Sequence, residues 1–462
     1  GEAMRVENKG LIDRTHRVSF SFDGQPVSGY AGDTVASALL ANDIRLMGRS
    51  FKYHRPRGVL PARSEEPNAL MTIGTGAQQD PNVRATVQEI YSGLQVHSQN
   101  AWPSLGFDAL AVNNLLSPFF GAGFYYKMMM WPKPLWEKFY EPLIRRAAGL
   151  GGLSEQNNPD NYERAWAYCD VLVIGSGPTG LMAALTAAKS GADVILCEED
   201  SLMGGRLNAE THEVDGMSGQ AWAAKTVAEL KAMDNVRLMT RTSVMGAYDQ
   251  GTYGALERVN HHNPRDNGKP LETFWRIVAK ASVLAAGALE RPIAFRNNDR
   301  PGVMTASAVR SYLNRWGVAA GKNVAVFGNN DNAHRTALDL QAAGVNVVAM
   351  IDSRADATAQ GDYRLIAGGL VTDAMGAKGL TGVTVKSGKG SETLNVDCLA
   401  VSGGWNPSVH MTCHMNGRPV GRDDIAAFVP KPDMVAGMIA AGAANGDFST
   451  AACLQAGVTA AN

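Results

Sequence analysis

The chain has 462 residues, with 43 Lys and Arg against 44 Asp and Glu, a formal net charge of −1, and 45% hydrophobic residues. A near-neutral balance excludes the electrostatic footprint of a nucleic-acid or acidic-membrane partner, and neither a run of the roughly 20 apolar residues of a membrane span nor a signal peptide is visible. Five cysteines, at 169, 197, 398, 413 and 453, fall without C-x-x-C or His–Cys spacing, which argues against a metal site, an iron–sulfur cluster or a disulfide framework and for reduced thiols in a cytoplasmic protein.

This length predicts about three domains. Residues 15–30 alternate as a hairpin around Asp23-Gly24, and Asp33 is a suitable N-cap for a short helix from Thr34 to Ala41. Small ferredoxin-like domains begin this way, and residues 1–100 are assigned to one. The loop that carries cysteines in iron–sulfur versions reads Arg49-Ser-Phe-Lys-Tyr-His-Arg-Pro-Arg-Gly58 here, without a cysteine, so no cluster is expected. Arg45, Arg49, Lys52, Arg55, Arg57 and Arg63 make this stretch basic, suited to phosphates or a partner's carboxylates, with a solvated face as the plainer alternative. Residues 101–165 read as a connector. Its segment from Leu115 to Tyr140, dense in Trp, Tyr, Phe and Met, suits a partner interface or packing on the chain's own domains.

A strand, a glycine turn and a helix follow. The apolar run Val171 to Ile174 suits a strand covered on both faces. Gly175 permits a tight turn, Gly177 lets backbone approach a pyrophosphate, and Gly180 lets the helix lie close to the strand. The helix start at Pro178 and Thr179 offers N–H groups and a positive dipole end to phosphates. A second strand, Asp193 to Cys197, ends in Glu198 and Glu199, about 20 residues on, where an acid binds a ribose 2′-hydroxyl. Gly204 and Gly205 allow close backbone approach, and Arg206 can reach a phosphate. A helix from Gly219 to Met233 and a strand from Val236 to Met239 precede Thr242 to Met245, where Val244 lies at the adenine position. A strand from Ser282 ends in the small residues Ala286 and Gly287 beside the ligand, and Pro292 and Pro301-Gly302 mark a crossover.

A second strand–turn–helix begins at Asn323. Its turn keeps Gly328 but has Asn330 where close backbone approach is needed, so this site is expected to be degenerate. His334 and Asp331 suit acid–base work or simply the start of a surface helix. The strand Leu394 to Pro407 is expected to return the chain to the first domain. In the segment Ala440 to Ala443, Gly442 is placed beside the ligand, and Ala443 stands where many flavin enzymes carry Asp, which favours NAD over flavin. A last helix from Thr450 stops abruptly at Asn462, as expected of a fragment.

The fold class is thus α/β: two dinucleotide-binding domains of the glutathione-reductase kind, preceded by a small ferredoxin-like α+β domain without a cluster. The expected boundaries are 1–100, 101–165, 166–310 with 400–462 for the NAD-binding domain, and 311–399 for the degenerate one.

Gly32 to Ala41, Gly48 to Gly58, Glu66 to Leu70, the Gly175 fingerprint, Ala286 to Pro292 and Val401 to Pro407 together resemble the alpha subunit of the heterotetrameric sarcosine oxidases, without its aminomethyltransferase-like C-terminal half. The resemblance implies NAD in this chain, held by Gly175, Gly177, Pro178, Thr179, Gly180, Glu198, Gly205, Arg206 and Gly287. It further implies FAD in a partner beta subunit, FMN where alpha and beta meet, and smaller gamma and delta subunits. Related two- or three-subunit oxidoreductases of opines and cyanide-forming amino-acid dehydrogenases share the N-terminal pattern. A free-standing FAD/NAD(P)H oxidoreductase and a non-enzymatic binding module are the other readings. The first lacks a redox cysteine pair and a second intact turn, and no catalytic residue stands out.

Overall fold

The computed structural model describes residues 2–98 apart from 46, 50–55, 58–69 and 74–79, residues 162–407 apart from 212, 215, 249–250, 265–269 and 286, and strands at 420–422, 427–429 and 438–440. Contacts divide the chain into two units, 1–124 with 290–404 and 125–289 with 405–462. The cuts at 289/290 and 404/405 compare with 310/311 and 399/400 read from the sequence.

At the N-terminus, β1 (Asp13–Phe22) and β2 (Gln25–Ala31) pair antiparallel, with Phe22 opposite Gln25. Both turn residues, Asp23 and Gly24, have positive φ (49° and 80°), the mirror-image turn whose twist matches that of the strands. β3 (Leu70–Ile73), β4 (Asp80–Arg84) and β5 (Gln95–Ser98) complete a sheet in the order β2-β1-β5-β3-β4. Helix α1 (Val35–Ala41) is buried at every position and capped by Thr34, which forms a reciprocal capping box with Ser37. Asp33, expected as the cap, is fully buried and pairs instead with Arg5 at 2.7 Å, since a buried carboxylate is costly without a cation. Of the basic stretch, Arg45 is the residue whose side chain is described. It pairs with Asp397 at 3.4 Å and Asp43 at 3.5 Å, so it serves its own unit.

The second unit is built on β6 (Tyr162–Ile174), α2 (Pro178–Lys189), β7 (Val194–Cys197), α3 (Gly219–Lys231), β8 (Val236–Met239), β9 (Thr242–Tyr248), β10 (Thr252–Glu257) and β11 (Glu272–Leu284). Parallel strands run β8-β7-β6-β11. The last residues of β11 pair in parallel with Met438–Ala440, and its first half pairs antiparallel with β10. This is the doubly wound order, in which the first strand lies inside the sheet and its C-terminal end opens on the crevice. The period of two sorts the side chains: Val173 and Leu196 join Leu181, Leu185 and Trp222 of the helical layer, while Leu172, Ile174 and Ile195 join Tyr253 and Ile277 on the opposite face. β6 starts well before the apolar run, because Ala167 and Cys169 are buried while Trp166 and Tyr168 alternate outward.

The remainder of the first unit holds β12 (Val303–Thr305), α4 (Ala306–Trp316), β13 (Asn323–Gly328), α5 (Asp331–Ala342), β14 (Asn346–Asp352), β15 (Leu365–Ala367), β16 (Leu370–Met375), β17 (Gly382–Ser387), β18 (Gly390–Leu394) and β19 (Cys398–Ser402). The parallel sheet runs β12-β19-β13-β14-β15, beside the antiparallel β16-β17-β18. The strand expected to leave for the other domain therefore supplies β19, an inner strand here. Helix α4 shares one hydrophobic cluster with the N-terminal sheet, joining Tyr312, Leu313 and Trp316 to Phe20, Val35 and Leu39. Arg5 donates to the Trp316 carbonyl at 2.9 Å, and the Trp316 indole donates to the Gly32 carbonyl at 3.1 Å.

Candidate functional site

The Gly175 turn lies within the second unit. Gly175 has φ +98°, and its N–H donates to the Cys197 carbonyl at 2.8 Å, fastening the turn to β7. Gly177 is the N-cap of α2, and no side chain caps the helix there. Pro178 stands first, where a missing N–H costs nothing. The two remaining fingerprint glycines do different things. A Cβ on Gly180 would sit 1.8 Å from the Gly175 carbonyl oxygen, so the helix is seated directly on its own turn, whereas a Cβ on Gly177 would meet no atom within 4 Å. The space in front of Gly177 is open. Beside it, the buried hydroxyl Oγ1 of Thr179 has no hydrogen-bond partner. Buried polar atoms are satisfied with few exceptions, and a free hydroxyl in the first turn of an uncapped helix suits a phosphate oxygen.

Glu198 is 8% exposed. Its Oε1 accepts from the Ser176 hydroxyl at 2.7 Å and the Ser176 N–H at 3.2 Å, and its Oε2 accepts from the Asp200 N–H at 3.0 Å. Glu199 is exposed. Of the two acids, Glu198 is the one at the turn. Gly205 has φ +56°, and a Cβ there would stand 2.9 Å from the Gly177 Cα, so the Gly204-Gly205 loop closes onto the glycine turn and carries Arg206 in the 3-10 turn Gly205–Ala209. The structure thereby brings Gly175, Gly177, Pro178, Thr179, Gly180, Glu198 and Gly205 together. Gly287 has φ +80° and open space before it. Val244 does not present its side chain to this site: it is 7% exposed and packs with Leu172 and Ile174, which leaves only its backbone for a nucleotide. Ala286, Gly442 and the segment Leu115 to Tyr140 lie outside the described residues. Sequence reasoning missed Ser176, because a serine between two fingerprint glycines carries no signal of its own.

The second turn is filled by its own residues. The Asn330 side chain accepts from the Ala333 N–H at 3.1 Å, capping α5, and donates to the Ser402 hydroxyl at 3.0 Å. His334 is fully buried rather than at a helix surface, with Nε2 2.8 Å from Asp352 and Nδ1 2.5 Å from the Tyr363 hydroxyl. Asp352 also pairs with Arg354 at 2.9 Å. Burial would raise the Asp352 carboxyl, but hydrogen bonds from Arg354 and His334 outweigh it and hold it below the usual 3.8. The thiols of Cys169, Cys197 and Cys398 are buried. Burial pushes Cys169 and Cys398 up to about 12, so neither supplies a thiolate. Among the described residues no His, Cys, Asp and Glu group could hold a metal ion, and no helix is long and apolar enough to cross a membrane.

This sheet order, glycine turn, open helix start and acid after the second strand define a dinucleotide-binding fold of the oxidoreductase class. In agreement, residues 170–283 match the FAD dependent oxidoreductase family model, and residues 15–101 match the 2Fe-2S iron-sulfur cluster binding domain model. No cysteine occurs between 15 and 101, so the thiolate ligands of such a cluster are missing from that domain. More particularly, the chain belongs to the family of sarcosine oxidase alpha subunits. It is 52% identical to that of Rhizobium meliloti (strain 1021), covering 98% of this chain and 46% of the relative, and 38% identical to that of Corynebacterium sp. (strain P-1), covering 96% and 43%. The chain spans about half the length of the curated relatives it matches. An opine oxidase subunit of Agrobacterium tumefaciens (strain Ach5) is 30% identical over 43% of this chain and 38% of its own length. Among solved structures, L-proline dehydrogenase from P. horikoshii shares the fold, with a TM-score of 0.70 and 20% identity over 100% of this chain and 75% of that one.

Proposed function

We propose that this chain is the NAD-binding part of a multi-subunit, flavin-dependent oxidase of sarcosine or a related N-methyl amino acid, with amine oxidation at flavins in or shared with partner subunits. The observation that carries the reading is the open space before Gly177, flanked by the unpartnered Thr179 hydroxyl and the Glu198 carboxylate. Gly175, Gly177, Pro178, Thr179, Gly180 and Gly205 would hold the pyrophosphate, Arg206 would reach a phosphate, Gly287 would lie along the ligand, and Glu198 would accept from a ribose hydroxyl. NAD supplies hydride-transfer capacity when bound. The residues around the turn bind and orient it, and no acid, base or nucleophile of the chain is assigned to the chemistry.

The rest of the assembly follows from likeness to the alpha subunits: a beta subunit with FAD, FMN where alpha and beta meet, smaller gamma and delta subunits, and a cytoplasmic heterotetramer. The partial likeness to an opine oxidase keeps an opine as the alternative substrate class. A second reading, FAD at the Gly175 turn, is favoured by the FAD dependent oxidoreductase match over residues 170–283. Release of ligand from the purified chain by heat, followed by mass measurement and absorbance in the flavin bands, separates the two. The expected ligand is NAD without flavin absorbance; bound FAD together with NADH oxidation by the isolated chain contradicts the proposal.

A further inference from the structure

Ser176, between Gly175 and Gly177, is fully buried. Its hydroxyl donates to Glu198 Oε1 at 2.7 Å and accepts from the Gly204 N–H at 3.2 Å, and the same N–H reaches the Ser176 carbonyl at 3.0 Å. One side chain thus links the glycine turn, the acid after β7 and the Gly204-Gly205 loop. A carboxylate has about four acceptor positions, and the Ser176 hydroxyl, the Ser176 N–H and the Asp200 N–H occupy three of them at Glu198. One remains. An alanine at 176 would keep the N–H contact and lose only the hydroxyl, so the turn itself does not require serine.

We propose that Ser176 is a positioning residue that fixes the Glu198 carboxylate so that its remaining acceptor position meets a free ribose 2′-hydroxyl and its charge opposes a 2′-phosphate. Ser176 thereby sets the preference of this site for nucleotides without a 2′-phosphate. The inference rests on the dinucleotide reading of the Gly175 turn. A glutamate free to change rotamer could swing away from a 2′-phosphate, whereas one held by three donors cannot without breaking charge-assisted bonds.

The test is calorimetric titration of the nucleotide-stripped chain with ADP-ribose and with 2′-phospho-ADP-ribose, for wild type, Ser176→Ala, Glu198→Gln and the double variant, with thermal midpoints alongside. Wild type prefers ADP-ribose. Ser176→Ala narrows that preference about tenfold, the worth of a hydrogen bond to a charged acceptor. In the Glu198→Gln background the same serine change alters the ratio by less than about twofold, because the two residues act as one unit. Parallel loss of both affinities, or equal narrowing in both backgrounds, overturns the positioning role. If Ser176→Ala does not fold, Ser176→Gly is titrated in its place, and failure of both to fold overturns the proposal by making the serine a structural necessity. A wild-type chain that binds neither nucleotide overturns the dinucleotide reading itself; one that binds ADP-ribose while Ser176→Ala leaves the ratio unchanged overturns only the role of the serine.

Discussion

The turns at Gly175 and Gly328 share a strand–turn–helix design and treat their helix starts in opposite ways. At the second, Asn330 reaches back to the Ala333 N–H, and the acid that ends the next strand, Asp352, is taken by His334 and Arg354. At the first, no side chain caps α2, the Thr179 hydroxyl has no partner, and a Cβ on Gly177 would point into open space. A doubly wound fold supplies a positive helix end both times. Whether that end is a binding site depends on whether the chain satisfies it internally.

The sharpest test of this contrast by stability is Gly180→Ala, whose Cβ would stand 1.8 Å from the Gly175 carbonyl oxygen. A loss of about 4 kcal/mol or more, or failure to fold, is expected in denaturant unfolding, and a loss under about 1 kcal/mol would break the assignment of Gly180 to packing. Next comes His334→Ala. It leaves a cavity and removes one hydrogen bond each from Asp352, which keeps Arg354, and Tyr363, and should cost about 2–4 kcal/mol while nucleotide affinity at the Gly175 turn changes less than about twofold. A smaller effect concerns acid. Asp352 is depressed in the folded state, so the stability it contributes is complete above its unfolded value of about 3.9 and is lost as pH falls through the lower folded value. Asp352→Asn should flatten the acid limb of stability against pH below about 4. Smallest is Asn330→Gly, because glycine is a tolerated cap: a few tenths of a kcal/mol at about neutral pH. Removing the cap should not create nucleotide affinity, since Asp352 remains engaged.

Most of the first turn was legible because each fingerprint position answers to one backbone requirement, a positive φ at Gly175, a close approach at Gly180 and an open face at Gly177. Features fixed by long-range partners were not. Val244 looked like an adenine contact from its place after β8, yet the β9–β10 layer turns its side chain into the core. His334 resembled the start of a surface helix, but its partners Asp352 and Tyr363 come from β14 and the following loop. In helix α4 the apolar residues Ala306, Val309, Tyr312, Leu313 and Trp316 recur on one face at helical spacing, but burial of Arg310, Asn314 and Arg315 beside them depends on packing that the periodicity does not show. The start of β6 from Tyr162 to Tyr168 carries no clear strand signal because its outward positions include Trp166 and Tyr168, large apolar residues that blur the alternation.

The central claim is that the space before Gly177 belongs to a dinucleotide. A Cβ there meets no protein atom and Gly177 has an ordinary φ of −69°, so Gly177→Val separates ligand from fold. Calorimetric titration of NAD into the nucleotide-stripped wild type and Gly177→Val chains, with thermal midpoints measured alongside, is the direct test. Binding by wild type, at least about 100-fold weaker binding by the variant, and midpoints within about 2 °C are predicted, since the added side chain occupies only the pyrophosphate's place. Equal affinity in both chains would contradict the account.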